Sequence, residues 1–138
     1  MSHPRIALFI PTYQSAHTVS AVIAAIPKNL INEFGKIYVF DNRSKDLTVQ
    51  KVQDCARNLH LDHLEVFIND ENYLLGGSTI QAIRQSLADG FDYLICMHSD
   101  GQANPKDLEK FVKYCKEDRY DFVLGSRLMR ESKTSEYS

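Results

Sequence analysis

The chain has 138 residues, 43% apolar and 25% charged, with a formal net charge of -2. These values describe one soluble globular domain of ordinary size. They give no electrostatic case for nucleic acid or anionic membrane as a partner, and no apolar run is long enough to span a bilayer. The N-terminal segment, Met1-Ser2-His3-Pro4-Arg5, lacks the long apolar stretch of a signal peptide. Cys55, Cys96 and Cys115 show neither zinc spacing nor a disulfide framework. Each falls in an apolar pattern, so buried free thiols in a reducing compartment are expected.

The first predicted strand is the run Arg5 to Pro11, apolar almost throughout, which suits a strand buried on both faces. Pro11-Thr12-Tyr13-Gln14-Ser15 follows as a polar loop. Val19, Val22, Ile23 and Ile26 recur at helical spacing, and Pro27 marks the end of that helix. Ile37 to Phe40 is a second strand, broken by Asp41-Asn42-Arg43-Ser44-Lys45-Asp46. Asp46 is placed to cap a helix whose buried face is Val49, Val52, Ala56 and Leu59. Leu64 to Ile68 is a third, more polar strand, expected nearer an edge.

Asn72 to Gly77 reads as a loop, with Ser78 and Gln81 spaced as a capping box. The spacing predicts a helix burying Ile80, Ile83 and Leu87, with Asp89-Gly90 as its stop. Tyr93 to Met97 is the fourth strand. Asn104 and Pro105 then open a helix with Leu108, Phe111, Val112 and Cys115 as its apolar stripe. Asp121 to Arg127 is predicted as a fifth strand, and residues 128–138 as a polar tail that frays. Strand and helix thus alternate, five strands with four helices. The fold class is α/β, a mainly parallel sheet with helices on both faces and right-handed crossovers.

Chemistry-bearing residues collect where the predicted strands end. In a parallel sheet those ends share one edge, where ligands bind. After the fourth strand, His98, Asp100 and Gln102 stand at alternate positions, so in extended chain they would project to one side and converge on one ion. A polar turn is the plain alternative for an Asp-Gly pair. Asp41 could accept from a nucleobase or ribose, or cap its own loop; Arg127 could neutralise a phosphate or be simply solvated. Gly76-Gly77 fits a phosphate contact and a bare turn about equally. His3, His17, His60 and His63 lack partners at ligand spacing and are read as surface residues. No Gly-x-Gly-x-x-Gly follows the first strand and no P-loop occurs anywhere.

Taken in order, Pro11-Thr12-Tyr13, Asp41-x-x-Ser44-x-Asp46-x-Thr48, Asn72 with Gly76-Gly77, His98-Ser99-Asp100-Gly101-Gln102 and Gly125-Ser126-Arg127 are specific. The chain resembles the family 2 glycosyltransferases of GT-A fold, above all the polyprenol- or dolichol-phosphate sugar transferase branch. The likeness runs from about Arg5 to Arg127 and corresponds to the donor-binding half. It implies a GT-A, Rossmann-like three-layer sandwich, with residues 1–127 as a truncated nucleotide-sugar-binding domain.

By that resemblance, Pro11, Thr12, Tyr13, Asp41, Asn42, Gly77, Ser99 and Arg127 would hold a UDP- or GDP-linked sugar donor. Asn42 replaces the second aspartate of the family's Asp-Asp-x-Ser, and Gln14-Ser15 replace its usual Asn-Glu. Asp100 matches the second aspartate of Asp-x-Asp and is the implied catalytic, metal-bearing residue, with His98 and Gln102 beside it. Imidazole is accepted more readily by manganese than by magnesium, so Mn2+ is favoured over Mg2+. The implied acceptor is a lipid phosphate, already anionic and needing no base, or a glycan. The implied location is the cytoplasm, at the inner face of a membrane through regions outside this sequence. A non-catalytic nucleotide-binding module lacking the acceptor half is the rival reading. A nucleotidyltransferase would need a Gly-rich basic loop after the first strand, and a phospho-receiver an acidic pair there; neither is present.

Overall fold

The computed structural model describes residues 2–126 and 128–132. Four strands form one parallel sheet: β1 (Ile6–Thr12), β2 (Phe34–Asp41), β3 (Leu64–Ile68) and β4 (Tyr93–Cys96), in the order β3-β2-β1-β4. β3 is an edge strand, as its polar sequence predicts. The helices are α1 (Val19–Ala24), α2 (Lys28–Ile31), α3 (Thr48–Asn58), α4 (Leu74–Ala88) and α5 (Leu108–Glu117).

The alternation of side chains along β1 and β2 builds two cores, one on each face of the sheet. Ile6, Leu8 and Ile10 of β1 and Ile37 and Val39 of β2 pack with Val19, Val22 and Ile23 of α1, Val52 and Cys55 of α3, and Leu108, Val112 and Cys115 of α5. Ala7 and Phe9 of β1 and Tyr38 and Phe40 of β2 face the other way, with Ala82 of α4 and Phe91. Each fully buried large side chain contributes about 1.5–3 kcal/mol. This is the expected three-layer arrangement.

Several local expectations are corrected. Ile80, Ile83 and Leu87 are not buried: they are 51%, 45% and 69% exposed, and Ser78, Ala82 and Ser86 face the sheet instead. The reason is volume. The sheet face under α4 carries Phe9, Tyr38, Phe40 and Phe67, with Phe40 and Phe67 stacked at 4.6 Å between centroids. The rings fill the layer, so only small residues fit on the helix side. Ser78 is accordingly no cap; α4 begins four residues earlier, at Leu74.

The predicted fifth strand does not form among the described residues. Residues 121–126 are irregular, with Phe122 and Leu124 80% and 75% exposed; Arg127 lies outside the described residues. A strand needs a ladder partner, and here a groove separates this segment from β4. α2 was not anticipated. In α3, Leu59 is exposed and Leu61 is buried in its place. Cys55 and Cys115 are buried free thiols as expected, whereas Cys96 is exposed on the wall of that groove.

Candidate functional site

The strand order runs outward from β1 to β2 and β3 on one side and to β4 on the other. β1 runs on past Phe9, where its ladder with β4 ends, and the loops after the two strands meet at the carboxyl edge of the sheet, where open α/β sheets bind ligands. Two adjoining hollows lie here. The smaller, about 210 Å³, is lined by Pro11, Thr12, Tyr13 and Ser15 after β1, Asn42 after β2, Leu75 of α4, and His98, Ser99 and Asp100 after β4. The larger, about 770 Å³, runs along the outer side of β4 and includes Cys96, Gln102, Phe111, Phe122 and Leu124. His98 and Asp100 line both.

The β4 loop keeps a strand-like alternation beyond the end of the ladder. Ile95, Met97 and Ser99 are buried, while Cys96, His98 and Asp100 are exposed. His98 and Asp100 therefore share one side, as their spacing predicts. Gln102 does not follow them into the smaller hollow. Gly101 turns the chain at φ +79°, and Asp100 Oδ1 accepts the Gln102 backbone N–H at 3.0 Å. An imidazole and a carboxylate are both ordinary ligands of a divalent ion. The described residues hold no group of three His, Cys, Asp or Glu able to hold one. Gln102 joins His98 and Asp100 on the wall of the larger hollow, so all three candidate metal residues share that surface.

Ser99 ties the loops together. Its hydroxyl lies 3.0 Å from Ser15 Oγ, and its carbonyl accepts from Thr18 Oγ1 at 2.7 Å. The Ser15 N–H donates to Thr48 Oγ1 at 2.8 Å. Asp46 accepts from the N–H and hydroxyl of Thr48 and from the Ala16 N–H; the α3 cap position is Leu47, one residue later, so Asp46 closes the turn that leads into α3 and also grips the β1 loop. These bonds, the Thr48 hydroxyl first, hold the Asp46 carboxyl below its ordinary value.

Asp41 is 1% exposed and does not line either hollow. Its Oδ1 accepts from Thr12 Oγ1 and Ser44 Oγ at 3.0 and 2.7 Å, and its Oδ2 from the Ser44 N–H at 2.8 Å. The Ser44 hydroxyl in turn accepts the Gln14 N–H. Asp41 thus braces the floor of the loop after β2. The residue that reaches the cleft from β2 is Asn42.

Gly77 is not brought to the cleft. It lies in α4, where a Cβ would meet Tyr73 Cβ at 2.5 Å, so a close helix contact explains it. Arg127 lies outside the described residues. Thr18 and Asn69 were not singled out, and Ser15 and Thr48 entered only as motif positions, although the loop clustering of hydroxyls in 12–18 and 44–48 was a usable signal. His63 is half-buried, its ring nitrogen 3.0 Å from the Ile31 carbonyl, and is not simply a surface residue.

Comparison with known proteins gives the family. The model of glycosyl transferase family 2 matches residues 7–138. The chain belongs to that family. It is 25% identical over 139 residues to a UDP-N-acetylglucosamine–dolichyl-phosphate N-acetylglucosaminyltransferase of Methanococcus voltae, covering 93% of this chain and 54% of that protein. It is 27% identical over 124 residues to an uncharacterised glycosyltransferase of Mycoplasma genitalium, covering 87% of this chain and 40% of that one. The chain thus spans about half the length of these curated relatives, or less.

Among solved structures, a mannosyltransferase of Pyrobaculum calidifontis in complex with GDP-Man and Mn2+ superimposes with a TM-score of 0.70 at 18% identity. That match covers 89% of this chain and 34% of that protein. TarS residues 1–349 from S. aureus give 0.67 at 20% identity, covering 92% and 40%. At these identities the likeness fixes the fold, the GT-A type of family 2 glycosyltransferases.

Proposed function

We propose that the crevice between β1 and β4 is a donor site for a nucleoside-diphosphate sugar, and that the chain serves sugar transfer to an acceptor such as a polyprenyl phosphate. One observation carries this reading. His98 and Asp100 stand together where the smaller hollow, sized for a nucleoside, opens into the larger groove. A diphosphate bridging the two would pass over both side chains.

In this reading Tyr13, half exposed beside Pro11, and Asn42 meet the nucleoside in the smaller hollow. Thr12 and Asp41 stiffen the floor beneath it, and Ser99 fixes the β4 loop against the β1 loop. Asp100 Oδ2 and the His98 imidazole remain available to hold a divalent ion with the donor's own phosphate oxygens. Such an ion would offset the negative charge that develops on the leaving diphosphate. Imidazole beside carboxylate suits Mn2+ better than Mg2+. The Pyrobaculum structure contains GDP-Man and Mn2+, and a structure of TarS residues 1–349 contains UDP. The Methanococcus relative is named for a dolichyl-phosphate acceptor. These support the donor and acceptor classes.

A lipid acceptor places the work at a membrane face. No helix among the described residues is long and apolar enough to cross a membrane. Calorimetric titration of UDP and GDP with Mn2+, repeated in EDTA, tests the donor site. The expected result is metal-dependent binding of one diphosphate. Metal-independent binding would remove His98 and Asp100 from the reading, and no binding by the folded chain would remove the nucleotide.

A further inference from the structure

The amide of Asn42 is held in one orientation. Its Oδ1 accepts Asn69 Nδ2 at 2.9 Å and the backbone N–H of Tyr73 at 2.9 Å. A backbone N–H only donates, so the atom facing it is the oxygen. Two donors occupy both lone pairs of that carbonyl. Asn69 Nδ2 also donates to Ser78 Oγ at 2.9 Å, and the Asn69 backbone N–H donates to the Asp41 carbonyl. Turning the Asn42 amide over would put an NH2 against the Tyr73 backbone N–H in a site where Asn42 is 6% exposed. Leaving such donors unpaired is costly.

What Asn42 has left is its NH2. Among the described residues that group has no protein partner, and no side-chain nitrogen or oxygen is both sealed from solvent and unpartnered. The NH2 therefore reaches solvent, and Asn42 lines the smaller hollow with Pro11, Tyr13 and Ser99. Its neighbour Asp41 offers no compensating acceptor there, being turned into the floor.

We infer that Asn42 is a base-selecting residue acting only as a hydrogen-bond donor. The nucleobase accepted in the hollow presents a carbonyl oxygen or bare ring nitrogen to it, and bases presenting N–H at that point are rejected. This rests on the nucleotide reading above. The discrimination follows from the fixed amide: a donor facing a donor leaves both unpaired away from water, and polar sites reject mismatched ligands strongly for that reason.

The variant Asn42→Asp keeps an oxygen for Asn69 and Tyr73 and turns the NH2 into an acceptor. UDP, CDP, GDP and ADP, each with Mn2+, are titrated into the wild-type chain and into N42D, with thermal unfolding as the check on folding. Repulsion between the new carboxylate and the diphosphate weakens all four alike, so the order among bases isolates the contact. The base that the wild type prefers should lose at least about ten-fold more affinity than some other base. An equal change across all four, or none, overturns the inference while leaving the nucleotide site standing. Wild-type binding of none of the four overturns the nucleotide reading and this inference with it. Should N42D not fold, the side-chain amide resonances of Asn42 in 15N-labelled wild type decide: they shift on binding the preferred nucleotide if the NH2 touches the base, and stay put if it does not.

Discussion

Ser15 Oγ and Ser99 Oγ lie 3.0 Å apart, joining the loop after β1 to the loop after β4 across the crevice where the sheet order reverses. Both serines are at least nine-tenths buried. The bond sets the separation of the two loops that carry Tyr13 on one side and His98 and Asp100 on the other.

Ser15→Ala and Ser99→Ala should each cost about 1 kcal/mol of stability. Because they break the same bond, the double variant should cost less than the sum. Urea unfolding of the four proteins measures this. Strict additivity would mean the two hydroxyls act independently.

The Asp46 carboxyl, held below its ordinary value by Thr48 and Ala16, gives a pH signature. Its folded pKa is below its unfolded one, so in that window the unfolded chain binds more protons and stability rises with pH. The contribution is complete above the ordinary carboxylate pKa of about 4 and disappears as pH falls through the lower folded value. Asp46→Asn should therefore melt below wild type at pH 7, with the gap narrowing from about pH 4 downward. A gap that stays constant to pH 2.5 would show that the carboxylate charge is not what holds the loop.

Helix α4 offers a packing test. Ala82 is 0% exposed against the aromatic sheet face, so Ala82→Leu should cost about 1–3 kcal/mol by overpacking. Leu87, 69% exposed, should tolerate Leu87→Gln within about 0.5 kcal/mol. Chemical denaturation of the two variants distinguishes this orientation of α4 from the opposite one.

The two adjacent glycines of α4 should respond with opposite signs. Nothing lies within 4 Å of a Cβ at Gly76, so Gly76→Ala should stabilise by about 0.5–1 kcal/mol through helix propensity. At Gly77 the new carbon would sit 2.5 Å from Tyr73 Cβ, which is fixed to the backbone. Gly77→Ala should therefore destabilise by about 1–2 kcal/mol net. Thermal melts of the pair check both signs.

The parts of this molecule legible from sequence are those governed by short-range rules. β1 and β2 announce themselves as apolar runs because both faces are buried, and Asn104-Pro105 opens its turn because the cap and the ring suit the first helical residues. His98 and Asp100 were legible because period-two alternation persists to residue 100. α4 was misread because amphipathic patterning assumes that the larger residues face inward. Here the volume was already taken by Phe9, Tyr38, Phe40 and Phe67, a fact spread over three strands. The segment 121–126 has strand composition but pairs with no strand among the described residues. The division of labour between Asp41 and Asn42 was equally hidden, since it depends on Ser44 lying under one and Asn69 and Tyr73 beside the other.

In the proposed donor site, Asp100 would carry the metal-dependent part of nucleotide binding. The most direct test is Mn2+ titrated into the wild-type chain and into Asp100→Ala, each holding UDP or GDP at fixed concentration, with nucleotide affinity read by calorimetry. Asp100 is exposed, so the variant should fold as wild type. The account predicts that Mn2+ strengthens nucleotide binding to the wild type at least ten-fold and has no effect on D100A. An equal response to Mn2+ in both proteins would contradict it.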